Sequence, residues 1–339
     1  MSKVCVLIPT YNPNPAFLTE ALQSLQKQSF SDWTALIHDD CSDSDTRKII
    51  EPFLTNPRFH FTKSDRRLGI GGNWNECVRL LEEPFVAFLF QDDVWSPDYL
   101  QSALEALEKH PTSGFVSLDH RYEGSRDMVT MPLYEAVRNF KKKNIPSGFH
   151  TGKEILQFWI KHELHPNIIG EPSFVVMRRS MMKQAGEFLE DMPQFLDTEY
   201  WLRLLTITDW INLDDREHGM FRVHAEGASA MNQEAGEGLF DRLRCFERLI
   251  GLLNGDLRQT SVNARNKAVQ KMIAKFFGRV GSGKRASAKG SGTLVKFFLK
   301  HPMVIFSGVW RYFSAIFIDS FRNEEYSRDV DSGAPHSRK

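Results

Sequence analysis

Phe85-Val-Ala-Phe-Leu-Phe90, followed at once by Gln91-Asp92-Asp93, decides how the rest of the chain is read. An unbroken apolar run of this length that stops at two carboxylates describes a strand buried on both faces, ending where solvent or a ligand begins. Towards the N-terminus, Phe59–Thr62, Ala35–His38 and Val4–Ile8 are shorter runs of the same kind. Helical patterns separate them. Pro13 and Pro15 open one in which Phe17, Leu18, Ala21, Leu22 and Leu25 recur at helical spacing. Ser42–Asp45 form a turn and cap before Ile49, Ile50 and Phe53, and Gly69, Gly71 and Gly72 turn into a helix carrying Trp74, Cys77, Val78 and Leu81. Towards the C-terminus, Ser96 and Pro97 cap a helix with Leu100, Ala103, Leu104 and Leu107, and Phe115–Leu118 is the next strand. This alternation predicts an α/β fold with a mostly parallel central sheet flanked by helices.

Beyond Leu118 the pattern is less regular as far as about Pro146, and the basic run Lys141–Lys143 reads as a solvated helix end or loop. Thr151-Gly-Lys-Glu154 is a capping box, and Phe174–Met177 reads as a strand followed by a helix capped near Ser180. Thr198–Leu205 reads as a helix and Gly219–Val223 as a last strand. The expected organisation is an α/β domain over 1–232, in two halves of about 1–118 and about 119–232. A helical extension over 233–280, a linker over 281–292, an amphipathic or hydrophobic helical segment over 293–321 and a disordered tail over 322–339 should follow.

Lys plus Arg equals Asp plus Glu at 43 each, so no global field favours nucleic acid. The four cysteines form no CxxC pair and no zinc-like spacing, which points to small buried hydrophobes in a reducing compartment. The N-terminus runs directly into Val4–Ile8 without the long apolar core of a signal peptide, and a cytoplasmic protein is expected. Pro302–Ile318 is interrupted by Arg311 and short for a spanning helix. It would either lie in the plane of an anionic membrane surface or pack on the α/β domain.

The chemistry gathers at the strand ends. In an open parallel sheet, ligands bind beyond the carboxyl ends of the strands. Asp39 and Asp40 end one strand there, and Asp92 and Asp93 another. Carboxylates around a phosphate would repel it unless a divalent cation lay between, and Mn²⁺ or Mg²⁺ suits such oxygen ligands.

Val4-Cys-Val-Leu-Ile-Pro-Thr-Tyr-Asn12, Ile37-His-Asp-Asp-Cys-Ser-Asp43 and Phe90-Gln-Asp-Asp-Val-Trp-Ser-Pro97 resemble, in order, the signatures of family-2 glycosyltransferases with the GT-A fold. The similarity covers roughly residues 4–230 and implies that 1–232 is a GT-A-like catalytic domain, with its donor half at about 1–118 and its acceptor half at about 119–232. It implies an inverting transfer of a sugar from a nucleotide diphosphate donor to a saccharide or lipid-linked saccharide, with surface polysaccharide or lipopolysaccharide as the product. It also implies roles at matching positions. Pro9, Thr10, Tyr11 and Asn12 would lie against the donor nucleoside, Asp39 would accept a hydrogen bond from the base, and Asp40 would support the turn. Asp93 would be the metal ligand, with Asp92 nearer the ribose or sugar and a possible second ligand. Phe90 stands where the family often carries a further Asp.

Arg67–Asn75 resembles the family's glycine-containing loop, bringing Arg67, Gly71 and Asn73 to the donor, although Asn73 also reads as a helix cap. Arg222-Val-His224, with Gly227 and Ser229, resembles the late Arg-x-His motif and implies that His224 completes the metal site. A lone His at a strand end can equally be structural or exposed. Asp197-Thr-Glu-Tyr-Trp-Leu-Arg203 resembles the segment that supplies the catalytic base, with Leu196 in place of the family's Glu. Asp197 is the expected base and Glu199 the reserve; a cap at Asp197 and an exposed Glu199 is the rival reading, with Arg203 pairing a carboxylate locally. Gly170-Glu-Pro-Ser173, then Arg178 and Arg179, resembles the acceptor-side stretch. Trp95, Tyr200 and Trp201 would stack on a sugar or sit in the core. A sugar-nucleotide-forming nucleotidyltransferase and a non-catalytic nucleotide-sugar-binding protein are the competing functions.

Overall fold

The computed structural model describes residues 3–124, 131–192, 194–224, 227, 232 and 240–281, with isolated positions between 295 and 310. The main sheet has eight strands. In spatial order they are β3 (Phe59–Lys63), β2 (Trp33–Asp39), β1 (Val4–Thr10), β4 (Phe85–Phe88), β9 (Val175–Arg178), β6 (Ser113–Leu118), β10 (Asp209–Leu213) and β8 (Gly148–His150). Only β9 and β8 run against the others, so the sheet is mostly parallel. A small sheet of β5 (Val94–Trp95), β11 (Gly219–Arg222) and β7 (Arg121–Glu123) lies beyond its carboxyl edge.

Alternation along β1 assigns the two faces. Val4, Val6 and Ile8 join a core built on α1 (Pro15–Gln26) and α4 (Tyr99–Lys109), through Leu18, Leu22, Leu100 and Leu104. Cys5 and Leu7 face the other core, which takes in α3 (Gly69–Arg79), α6 (Gly152–Lys161) and α8 (Leu196–Leu205) through Trp74, Trp159 and Trp201. Helices therefore cover both faces. Asn14 caps α1 with Pro15 in its first turn, and Thr151 caps α6 by accepting from the Glu154 N–H.

Several boundaries differ from the sequence reading. β4 stops at Phe88 because the Phe90 N–H turns from the ladder to the Ser173 hydroxyl. The expected strand over Phe174–Met177 begins at Val175, since Pro172–Phe174 closes a 3₁₀ turn. Ser96 is not the cap of α4. Asp98 holds that position, and the Ser96 hydroxyl donates to the His218 carbonyl. The stretch read as irregular contains α5 (Met131–Asn144), and its Lys141 is buried, donating to Ser117 Oγ and the Ile169 carbonyl. Four lysine methylenes allow an ammonium to pass through an apolar layer to such acceptors.

The helical extension packs directly on the catalytic core. Its helices α9 (Asp241–Leu252) and α10 (Gly255–Gly281) bring Cys245, Phe246, Leu249 and Ala268 into the core of α6 and α8. A buried ion pair secures this join. Glu199 accepts from Arg203 on its own helix and from Arg248 on α9, while Arg203 also donates to the Ala185 and Glu187 carbonyls. Removing one partner of a buried pair costs about 3–5 kcal/mol, and the half-exposed Arg248 that would stay on Glu199 holds the loss of Arg203 to about the lower figure. Arg203→Ala should therefore lower chemical-denaturation stability by about that amount. A loss below about 1 kcal/mol, as for exposed pairs, would show the network to be dispensable.

Most of the 281–292 linker, most of the 293–321 segment and the 322–339 tail lie outside the described residues. Among those described, no helix is long and apolar enough to cross a membrane.

Candidate functional site

Parallel pairing brings the carboxyl ends of β1, β2 and β4 side by side, and polar side chains then knit them into one rim. Gln91 pins the turn after β1: its Oε1 accepts from the Tyr11 N–H at 2.8 Å and its Nε2 donates to the Tyr11 carbonyl at 3.2 Å. Asn12 sits at a φ of 41°, and its Oδ1 accepts from the Asp43 and Ser44 N–H groups. Asn tolerates that left-handed backbone because its short side chain satisfies nearby N–H groups. Tyr11 is half-buried, and the exposed Arg67 lays its guanidinium 3.9 Å from the Tyr11 ring centre. This flat pair is the open part of the expected nucleoside site.

Other expected donor contacts act behind that surface. Pro9 and Thr10 are buried strand residues, and the Thr10 hydroxyl donates to the His38 carbonyl. Asp39 has no exposed surface. It accepts from the Ser42 N–H, from the Ser42 hydroxyl and from Thr46, so it shapes the turn and does not face a base. Burial alone would raise its carboxyl, but those hydrogen bonds and Lys63 outweigh it and hold it below its ordinary value. Asp40 accepts from the Leu68 and Gly69 N–H groups, tying the Arg67 loop to β2. Gly69 takes a φ of 79°, which explains a glycine there.

Gly71 is a packing residue: a Cβ there would meet the Glu190 backbone at 2.8 Å. Asn73 is neither cap nor contact. It is buried inside α3, where its Oδ1 lies 2.7 Å from His38 Nδ1 and its Nδ2 donates to the Thr10 carbonyl.

The second side of the site comes from pairing β5 with β11. Gly219 allows the close approach, since a Cβ would lie 2.5 Å from the Val94 carbonyl oxygen. Arg222 then clamps the acidic loop. Its N–H donates to Asp93 Oδ1 at 3.1 Å, its Nε donates to the Asp92 carbonyl at 3.1 Å, and its guanidinium covers Phe17 and pairs with Glu20. Asp93 is fully buried, and its Oδ2 has no hydrogen-bond partner. Burial, with the Asp92 charge adding, pushes its carboxyl well above the usual range.

The two neighbouring carboxylates are set differently. Asp92, at 23% side-chain exposure, places Oδ2 2.8 Å from Nε2 of His224, at 25%. Asp92 and His224 converge at the surface while Asp93 holds the loop from behind. Among the described residues no three or more carboxylate, His or Cys side chains form a ready metal cage. One carboxylate and one imidazole still fit a cation that keeps waters and takes its remaining ligands from a diphosphate.

The third side is α8. Asp197 lies in its first turn; Phe195 is the N-cap, so the cap reading fails. Asp197 Oδ2 accepts from Asn167 Nδ2 at 2.7 Å. Burial, with the Glu171 charge adding, pushes its carboxyl up to about 7, against the hydrogen bond from the Thr198 N–H. Glu199 is not a reserve base and not exposed: both its oxygens are engaged by Arg203 or Arg248. Arg203 does pair locally. Trp95, Tyr200 and Trp201 are all buried and serve the core.

Segment 167–174 connects the two sides. Trp201 Nε1 and Asn167 Nδ2 both donate to the Gly170 carbonyl beside Asp197. Ser173 meets the acidic loop, accepting from the Phe90 N–H with Oγ and from Trp95 Nε1 with its carbonyl. Between them, the Glu171 charge acts on both Asp93 and Asp197. Gln91 and Glu171 were inside quoted motifs without an assigned role. His38 likewise stood inside a quoted motif with no assigned role, whereas His120 and Asn167 had no signal in the sequence, because only the fold brings them to the site. Ser229 lies outside the described residues.

A parallel-dominated sheet with an acidic loop at its edge and a separate carboxylate opposite defines a GT-A-type fold. Residues 5–181 match the family described as Glycosyl transferase family 2, more than half of the chain. The chain belongs to that family. It is 29% identical over 230 residues to a GalNAc(5)-diNAcBac-PP-undecaprenol beta-1,3-glucosyltransferase of Campylobacter jejuni, covering 66% of this chain and 65% of that protein. The fold is similar to S. aureus TarS 1-349 in complex with UDP-GlcNAc, with a TM-score of 0.60, 17% identity, and coverage of 91% of this chain and 80% of that one. It is also similar to the mannosyltransferase PcManGT from Pyrobaculum calidifontis in complex with GDP-Man and Mn²⁺, with a TM-score of 0.56, 18% identity, and coverage of 94% of this chain and 87% of that one. The chain spans less than two thirds of the length of the first curated relatives it matches.

Proposed function

We propose that this chain transfers a sugar from a nucleotide diphosphate donor to a hydroxyl of a saccharide or lipid-linked saccharide, with inversion, during assembly of a surface polysaccharide. Family membership sets aside the nucleotidyltransferase alternative. The observation that carries the reading is segment 167–174, which holds Asp197 at one end through Asn167 and meets, at the other, Phe90 and Trp95 on either side of the loop that presents Asp92 to His224.

In this reading Tyr11 and Arg67 part to take the nucleoside between ring and guanidinium, and Asn12 holds the turn beneath. Asp92 and His224 would hold a Mn²⁺ or Mg²⁺ ion, which when bound supplies positive charge to the departing diphosphate. Asp197 accepts the proton of the acceptor hydroxyl as that oxygen attacks the anomeric carbon from the face opposite the diphosphate. A single displacement inverts the centre. Asn167 fixes the carboxylate's orientation, and burial keeps its proton affinity near neutrality, where a general base works best.

A screen of UDP- and GDP-sugars with Mn²⁺ and saccharide acceptors tests the proposal by nucleoside diphosphate release. One donor class should turn over, EDTA should abolish the reaction, and added Mn²⁺ should restore it. Turnover undiminished by EDTA would remove the cation from the reading; formation of a nucleotide sugar from a sugar phosphate would replace it.

A further inference from the structure

α1 carries one aromatic that its packing does not use. Leu18, Ala21, Leu22 and Leu25 fill the core beneath the helix, whereas Phe17 belongs to neither hydrophobic core and stays half-buried. Asn14 fixes where it stands. Its Oδ1 accepts from the Ala16 N–H at 3.0 Å and the Phe17 N–H at 3.4 Å, so α1 starts shortly after the Tyr11–Asn12 turn with Phe17 in its first turn. Two side chains from the end of β11 close on the ring. The Arg222 guanidinium lies 4.1 Å from the ring centre, and the His224 imidazole centre lies 5.8 Å away, tilted by 59°. Val223, between them in sequence, is buried. Glu20, further along α1, pairs with Arg222 and keeps its guanidinium over the ring.

We propose that Phe17 is a positioning residue for His224: its ring seats the Arg222-Val-His224 arm against α1 and holds the imidazole where it and Asp92 can take a divalent cation together with a nucleoside diphosphate. This inference rests on the glycosyltransferase reading of the site and adds to it what fixes the imidazole.

An imidazole holds a metal well when its ring is oriented in advance, and the groups behind a ligand affect affinity for that reason. His224 stands one residue beyond the last bond of its ladder, the Val223 N–H donating to the Glu123 carbonyl at 2.7 Å, so the small sheet does not itself aim the ring. Asp92 meets Nε2 at 2.8 Å. A cation entering between these two groups takes the place of that contact, whereas the Phe17 contact, on the ring's side, survives the exchange. An aromatic suits both neighbours. Its electron-rich face attracts the guanidinium, and a tilted ring pair is a favoured geometry with the imidazole. An aliphatic side chain would fill the space and offer neither. Its place in the first turn of α1 also ties the diphosphate side of the site to the Tyr11 turn that faces the nucleoside.

Phe17→Leu keeps an apolar, helix-forming side chain and removes the ring; Phe17→Tyr keeps the ring. Electron paramagnetic resonance of free Mn²⁺, titrated into the full chain with saturating UDP or GDP, reads the first consequence. Mn²⁺ binding should weaken about 10-fold in Phe17→Leu, the lower end of what residues behind a metal ligand contribute, and return to the wild-type level in Phe17→Tyr. Ring-¹³C histidine relaxation in the metal-free chain reads the second, with the His224 resonance assigned by its loss in His224→Gln. That ring should be more mobile in Phe17→Leu than in wild type or Phe17→Tyr. Mn²⁺ binding unchanged in Phe17→Leu, or equally weak in both variants, overturns the proposal, as does a His224 ring equally rigid in all three chains. Uridine or guanosine binding weakened by the same factor would mark a distorted α1 and overturn it too. The relaxation measurement needs no metal. A wild-type chain that binds no Mn²⁺ with nucleotide, yet loses His224 rigidity in Phe17→Leu, therefore sinks the metal reading and leaves Phe17 as the seat of His224.

Discussion

Asp197→Asn should abolish nearly all sugar transfer, lowering kcat by about 10²–10⁴-fold, the range a positioned general base contributes. Donor affinity should be unchanged, because Asp197 approaches the nucleotide side only through segment 167–174 and touches none of Tyr11, Arg67, Asp92 or His224 in the hydrogen-bond network described above. The split matters: a loss in kcat with intact donor binding marks a group acting in the transition state. Asn keeps one acceptor oxygen, enough for Asn167 or for the Thr198 N–H but not for both.

The pH dependence has a fixed sign. A base works only when deprotonated, and the Asp197 carboxyl is raised to about 7. Transfer by the wild-type chain should therefore rise with pH through about 7 and be lost as pH falls below it. Initial rates across pH 5–9, roughly two units either side of that midpoint, with saturating donor would check both statements. A variant within tenfold of wild type, or a flat wild-type profile over this range, would move the base elsewhere.

The fold was legible because the sheet is written locally. Val4–Ile8 and Phe85–Phe88 are continuous apolar runs, and the helices between them repeat at helical spacing, so the strands and a mostly parallel sheet follow without tertiary knowledge. What failed was local competition. Ser96 looks like a cap, but its hydroxyl is drawn to the His218 carbonyl far along the chain. Lys141 looks solvated, but its ammonium is carried through the core to two buried acceptors.

The site was legible to the level of motifs and not of atoms. Asp92, Asp93, Asp197 and His224 were all named, yet two adjacent aspartates cannot be ranked from sequence when the turn between β4 and β5 leaves one at the surface and buries the other. The burial of Asp93 beneath Arg222 is a long-range fact of the β5–β11 pairing. Glu199 was misjudged for a similar reason: its partner Arg248 belongs to the C-terminal extension. Glu171 had no assignable role because its partners His120 and Tyr122 are brought to it by other elements.

Ranking the two aspartates leads to the other large effect. Asp92→Asn should lower kcat/KM by roughly 10³-fold, equivalent to about 4 kcal/mol of lost stabilisation at the leaving diphosphate. Asp93→Asn should behave differently. It keeps an acceptor for the Arg222 N–H and alters a carboxyl that is buried and held well above its ordinary range, so most of the metal response should survive. His224→Gln should resemble Asp92→Asn, and the double variant should lose less than the sum of the two. Groups that act on one ligand are not additive, because the second removal finds the interaction already broken. Calorimetric titration with nucleoside, then with nucleoside diphosphate, each with and without Mn²⁺, isolates the cause. The nucleoside should bind all variants alike through the Tyr11–Arg67 face, and only the Mn²⁺-dependent gain on adding the diphosphate should disappear in Asp92→Asn and His224→Gln. If that gain instead persists in Asp92→Asn and vanishes in Asp93→Asn, the loop must turn Asp93 outward on binding donor, and Arg222, which now holds both residues, would be the switch that releases it.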